Sequence, residues 1–198
     1  MESKETYSYY ISHFEKQLFE SYSILEDLEF GLIKPVNEFG KEKLQLTIKS
    51  IKYFCFFTAS FLDIATTLKK LNDIESGWER KYHLKNGFVS IYETIITFNK
   101  HNKDIKLIID KDYQEIAQRY TNINQILRKF KKMHKFELTI QKFRNNAGAH
   151  YAEDFNVYYK SLITIDNQES IITIYDFSNF LKILISFWSD FVDLQENK

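Results

Sequence analysis

Turn-forming residues are almost missing from this chain, which has 5 glycines and 1 proline among 198 residues. Sandwiches and barrels need such residues at every strand reversal, so their scarcity argues against them and for long helices with few connections. Cysteine is nearly absent too. A single Cys55 excludes an internal disulfide and argues against a structural zinc site. It lies in an apolar run and reads as a buried core thiol. Net charge is missing as well, with 27 basic and 27 acidic residues. The field of the whole protein therefore selects no partner, and nucleic acid would need a local basic patch.

Long hydrophobic runs are also lacking. The most apolar one, residues 51–64, is short and interrupted by Lys52 and Asp63, so it reads as a core helix and not a membrane span. The first residues, Met1-Glu2-Ser3-Lys4-Glu5-Thr6, have no apolar signal region. The expectation is a cytoplasmic protein with no membrane partner. There is no glycine-rich phosphate loop, no serine nucleophile elbow and no paired-carboxylate motif. His13, His83 and His101 show no metal-ligand spacing. No metal or cofactor is expected.

What the chain does have is apolar and aromatic surface, 44% and 17% of its residues, enough to fill one core. Steps of three and four residues predict a first helix over residues 7–30, with Tyr7, Ile11, Phe14, Leu18, Tyr22 and Leu25 on one stripe. Gly31 and Pro35 end it. A second helix over residues 41–71 is apolar nearly all round. It reads as the central helix or as one that also lines a subunit interface. Its aromatics, Tyr53 to Phe61, read as core or dimer seam and not as a base-stacking platform.

Ser76 is a candidate cap for a third helix over residues 76–99, interrupted at Gly87, with Trp78 as a core residue. A polar turn over residues 99–103 and a fourth helical region over residues 112–143, with a turn near His134, follow. Residues 154–162 read as a short helix or turn. The β-branched flanks at 163–165 and 171–175 suggest a small β-hairpin, although a helical reading of the same residues also holds. Asp176 or Ser178 then caps the last helix. The expected fold is mainly α, an up-and-down bundle of about five to seven helices, with that hairpin near residues 163–175. It forms one domain over residues 1–198.

The stretch that carries chemistry is Phe143-Arg144-Asn145-Asn146-Ala147-Gly148-Ala149-His150-Tyr151. A guanidinium holds a phosphate bidentately and stabilises charge on a pentacoordinate phosphorus. An imidazole takes a 2′-OH proton or protonates a leaving 5′-oxygen. On one regular helix, residues six apart lie roughly 120° apart, so Arg144 and His150 converge only if the chain turns or a second subunit completes the site. Arg128 and His134 share the same spacing, but they sit on a charged helix face and read as coincidence. The Asn beside Arg144 and the small residues that follow set the later pair apart. Between Arg128 and Arg144 the bases Lys129, Lys131, Lys132, Lys135 and Lys142 face a single acid, Glu137. That asymmetry would attract a phosphate backbone, or it is simply a solvated helix face.

Arg144-Asn145-Asn146-Ala147-Gly148-Ala149-His150, late in an all-helical chain, resembles the HEPN superfamily. The resemblance implies a helical bundle that dimerises so that two motifs face one cleft. It implies a metal-independent endoribonuclease of toxin–antitoxin or phage-defence type, with Arg144, Asn145 and His150 as the catalytic set. Lys132, Lys135, Lys142 and Tyr151 are the candidate contacts to RNA phosphates. It also implies a homodimer and a cognate antitoxin or a nucleotidyltransferase-like partner. The rival reading is a HEPN-like interaction or nucleotide-binding module that has lost activity.

Overall fold

The computed structural model describes residues 2–31, 38–148 and 154–196. These form α1 (Lys4–Gly31), α2 (Glu38–Leu71), α3 (Trp78–Asp112), α4 (Gln114–Met133), α5 (Phe155–Thr164) and α6 (Gln168–Glu196). Two single π-helical turns, Glu137–Gln141 and Arg144–Gly148, lie between α4 and α5. No strand occurs among the described residues. The protein is a mainly α helical bundle.

Side-chain pairings fix the directions. Tyr53 of α2 meets Trp188 of α6 at 4.9 Å, and Ser50 accepts from Gln195 Nε2 at 3.0 Å. Early α2 thus lies beside late α6, and the two helices run antiparallel. Phe57 meets Phe98 of α3 at 6.1 Å, so α3 also opposes α2. Phe130 of α4 meets Phe177 of α6 at 5.3 Å, while Arg119 pairs with Asp190, which sets α4 against α6. α2 is thus enclosed by α1, α3 and α6. That enclosure explains why its sequence is apolar nearly all round. Phe57, Phe61, Ile64 and Leu68 are buried, as are Tyr53 and Phe54, so the aromatic belt is core. Each fully buried Phe or Leu adds about 1.5–3 kcal/mol. Cys55 is half-buried and packs against this core, and burial pushes its thiol pKa up, which makes it a poor nucleophile.

α2 and α6 are both long and apolar enough to cross a membrane, yet 61% of each apolar window is buried within the bundle. α1 is packed on one side only. Tyr7 and Leu25 are buried, Phe14 meets Phe61 at 4.7 Å, and Phe19, Tyr22 and Phe30 remain exposed.

Several expected boundaries move. The proposed hairpin at residues 163–175 is helical instead: α5 ends at Thr164 and α6 starts at Gln168. The reason is phase. Ile171, Ile174, Phe177, Leu181, Leu184, Trp188 and Phe191 are all buried and continue one helical stripe backwards through the β-branched run. Asn167 caps this helix, its Oδ1 accepting from Ser170 N–H at 2.8 Å, so neither Asp176 nor Ser178 is the cap. Asp154 caps α5, accepting from Asn156 N–H at 2.7 Å.

α3 runs unbroken through the expected polar turn at residues 99–103. Its polar residues are used sideways there. Asn102 Nδ2 donates to Asn124 Oδ1 at 2.6 Å, and Tyr120 OH donates to Asn102 Oδ1 at 2.7 Å, which joins α3 to α4. Gly87 does not interrupt α3 either. A Cβ there would lie 2.6 Å from Ile174 Cδ1 and 3.3 Å from Thr67 Cγ2, so the glycine allows three helices to meet. The third helix starts after Gly77, not at Ser76, because Gly77 alone tolerates its φ of 95°. Trp78, expected in the core, is 59% exposed at that helix start. It precedes the first fully buried residue of α3, Leu84.

Candidate functional site

The candidate site begins where α4 stops. Phe136 N–H donates to Lys131 O at 2.9 Å, and Lys135 N–H donates to Lys132 O at 3.4 Å. This is a Schellman closure with Lys135 in the left-handed region, φ 47°. Glycine usually fills that position, because a side chain there costs about 1–2 kcal/mol. Lys131 Nζ lies 4.9 Å over the Phe136 ring, supplying the contact that normally accompanies such a cap.

Beyond it the π-helical turns hold one residue more in each hydrogen-bonded loop than an α-helix does. Gln141 N–H donates to Phe136 O, five residues back, at 2.9 Å. The second π-helical turn, Arg144–Gly148, carries the first five residues of the motif. Such turns are uncommon and often occur at functional sites. Phe136, Ile140, Phe143 and Ala147 are buried and anchor this segment, with Phe143 meeting Phe88 of α3 at 5.5 Å.

Arg144 is held from α3. Its guanidinium lies 5.0 Å from the Tyr92 ring centroid, and Nε and Nη2 donate to Glu93 Oε1 at 3.2 and 3.1 Å. The Tyr92 ring stacks on Phe136, 6.0 Å apart and inclined by 3°. Lys131, Phe136, Tyr92 and Arg144 therefore form one row, two stacked rings with a cation at each end. The Arg144 side chain remains 30% exposed. Glu93 uses the Nε–Nη2 edge, so the Nη1–Nη2 edge is the one geometrically available to a phosphate.

The other expected residues divide into two groups. Asn145 is exposed next to Arg144, and Lys132, Lys135 and Lys142 are exposed along the same segment. His150 and Tyr151 lie outside the described residues, so the convergence of Arg144 with His150 is not part of the described geometry. The earlier look-alike pair separates fully. Arg128 is exposed, while His134 is buried, its Nε2 3.0 Å from Asp176 Oδ2 and its Nδ1 3.0 Å from Thr173 Oγ1. His134 is a structural residue that ties the end of α4 to α6.

The local charge is less one-sided in space than along the chain. Glu137 pairs with Lys131 at 3.6 Å, Asp176 faces His134, and Glu93 faces Arg144. Two of these three acids arrive from other helices.

α5 packs on the motif turn, and it frames an open cleft of about 360 Å³ with residues 138–146. Lys142 and Asn146 stand on one wall, and Val157, Lys160 and Ser161 on the other. Sequence reasoning missed Tyr92, Glu93 and Lys160 as parts of this corner and assigned Asn146 no contact. Tyr92 and Glu93 precede the motif by some fifty residues, and no local pattern marks them. Among the described residues no three His, Cys, Asp or Glu side chains come together as a metal site requires.

Compared with models of protein families, with characterised proteins and with solved structures, the chain has no significant match. Fold and site define a helical bundle with a π-wound, arginine-bearing corner.

Proposed function

We propose that this protein is a HEPN-like, metal-independent endoribonuclease. The observation that carries the reading is the setting of Arg144: a partly exposed guanidinium, oriented by Glu93 and Tyr92, at an unusual π-helical turn beside exposed lysines. In this reading Arg144 binds the scissile phosphate, and Asn145 positions the phosphate or the histidine. His150 removes the 2′-OH proton as the 2′-oxygen attacks phosphorus, or protonates the departing 5′-oxygen as the P–O5′ bond breaks. The products carry a 2′,3′-cyclic phosphate or a 3′-phosphate, and a free 5′-hydroxyl. Lys132, Lys135, Lys142 and Tyr151 contact neighbouring phosphates.

A homodimer belongs to the same reading, because a second copy would bring two motifs to one cleft. Trp78, Tyr82, Phe155 and Tyr159 are exposed on α3 and α5, the two helices that pack on the motif turn, and supply apolar surface for such an interface. A cognate antitoxin or a nucleotidyltransferase-like protein would be the further partner, in a cytoplasmic setting.

One observation favours a second reading, a HEPN-like interaction module without activity. Glu93 already satisfies one edge of Arg144 within the same subunit, as it would if the arginine only held α3 to the motif turn. RNA cleavage by wild type and by His150→Ala, with chelator present, tests both. Cleavage by wild type alone supports the nuclease. Equal cleavage by both sinks the role of His150, and no cleavage by either leaves the interaction module.

A further inference from the structure

We propose that the cleft between residues 138–146 and α5 seats an unstacked nucleobase, with the adjoining phosphate held between Lys142 and Lys160. The inference rests on the RNA reading above and adds to it a place where sequence preference arises. Lys142 and Lys160 stand on opposite walls, and among the described residues no acid lines the cleft. That arrangement favours an anion between them. Phe143 is buried at the floor, while Leu138 and Val157 at the lips are 73% and 40% exposed.

Apolar lips and an apolar floor suit the face of a flat ring and not a hydrated ion. The volume, about 360 Å³, falls among those of sites for small organic ligands. Asn146 also lines the cleft, and its amide offers both a donor and an acceptor to the edge of a base. Ser161 Oγ donates to Val157 O at 2.8 Å, so toward the cleft its oxygen acts as an acceptor. Single-stranded RNA is read in this way elsewhere, with splayed bases packed on apolar or aromatic side chains and hydrogen-bonded at their edges.

The test uses the full chain and three probes in calorimetric titrations: adenosine 3′-monophosphate, adenosine and inorganic phosphate. The nucleotide is expected to bind at least about tenfold more tightly than either fragment, since it alone engages rings and lysines together. Val157→Trp fills the cleft from an exposed helical position, and Lys142→Glu with Lys160→Glu reverses its charge. Each is expected to weaken the nucleotide at least about tenfold while circular dichroism stays unchanged. Binding no tighter than phosphate, or wild-type affinity in the charge-reversed protein, overturns the proposal. If Val157→Trp does not fold, the charge-reversed variant decides alone. Cleavage of single-stranded RNA by the same proteins separates the two readings. A wild type that cleaves RNA but binds no nucleotide defeats the cleft and keeps the nuclease. A wild type that binds nucleotide but cleaves nothing does the reverse.

Discussion

Arg144 and Glu93 meet across fifty-one residues of sequence, with Nε and Nη2 of the guanidinium sharing one carboxylate oxygen at 3.2 and 3.1 Å. The pair is half-exposed and therefore contributes little stability, within about 1 kcal/mol. Its weight lies in orientation: the carboxylate and the Tyr92 ring hold a flexible side chain in one place. It also puts a negative charge beside the proposed phosphate. Glu93→Gln keeps the shape and removes the charge. We expect it to tighten RNA binding about threefold and to flatten little of the salt dependence. Arg144→Ala is expected to weaken binding and to reduce the salt slope by about 1. Filter binding at several salt concentrations reads both.

His134 and Arg128, six residues apart, provide a contrast. His134→Ala removes a buried ring that satisfies Thr173 and Asp176, and leaves both without it. A loss of about 2 kcal/mol is expected. Arg128→Ala, on an exposed position, is expected to change stability by no more than about 0.5 kcal/mol. Urea unfolding of the two variants checks this, and equal losses would contradict the placement of His134.

Asp166 links the α5–α6 junction to the start of α3, accepting from Arg80 Nε and Lys81 Nζ, each at 2.8 Å. Burial pushes the carboxyl pKa up, but hydrogen bonds from Lys81 and Arg80, with their charges, outweigh it and hold it below its ordinary value. A carboxyl lowered in the folded state stabilises fully above its unfolded pKa, and that stabilisation is lost as pH falls through the folded value. Asp166→Asn is therefore expected to destabilise at pH 7, by about 1–2 kcal/mol, and to lose less stability than wild type on acidification below about pH 4. Thermal unfolding at pH 7 and pH 3 measures the difference.

Lys135, an exposed residue, occupies a left-handed position, φ 47°. Lys135→Gly is expected to raise stability by about 1 kcal/mol, by relieving the steric cost at the end of α4. Lys135→Val is expected to lower it by more, since a β-branched side chain fits that region worst. If Lys135→Gly also weakens RNA binding, the lysine charge and not the backbone is what RNA meets there. Lys135→Asn separates the two effects, because Asn tolerates the conformation without the charge.

Helix identity was readable from periodicity wherever the apolar stripe was long. α1, α2 and the later part of α6 appear where three- and four-residue steps place them. Errors cluster where composition and periodicity disagree. The β-branched run at residues 171–175 has the composition of a strand, but its buried residues keep the phase of α6. The polar run at residues 99–103 has the composition of a turn, but Asn102 has a partner on α4 that the local sequence does not reveal. The break after His134 was visible, whereas the π winding beyond it was not. Phe136, Ile140, Phe143 and Ala147 are spaced four, three and four, as they would be on an ordinary helix.

By itself the sequence determined the mainly helical class, because scarce turn residues and periodic apolar surface leave few other ways to bury that surface. It also determined which segment deserved attention, since Arg144, Asn145 and the lysines are chemically distinctive wherever they fall. Only the tertiary structure decided what surrounds Arg144. Glu93 and Tyr92 reach it from α3 and Lys160 faces the same corner from α5, because helix packing juxtaposes residues by shape and not by order along the chain. Burial likewise parted Arg128, exposed, from His134, buried, which periodicity indicates only as a face and packing settles residue by residue.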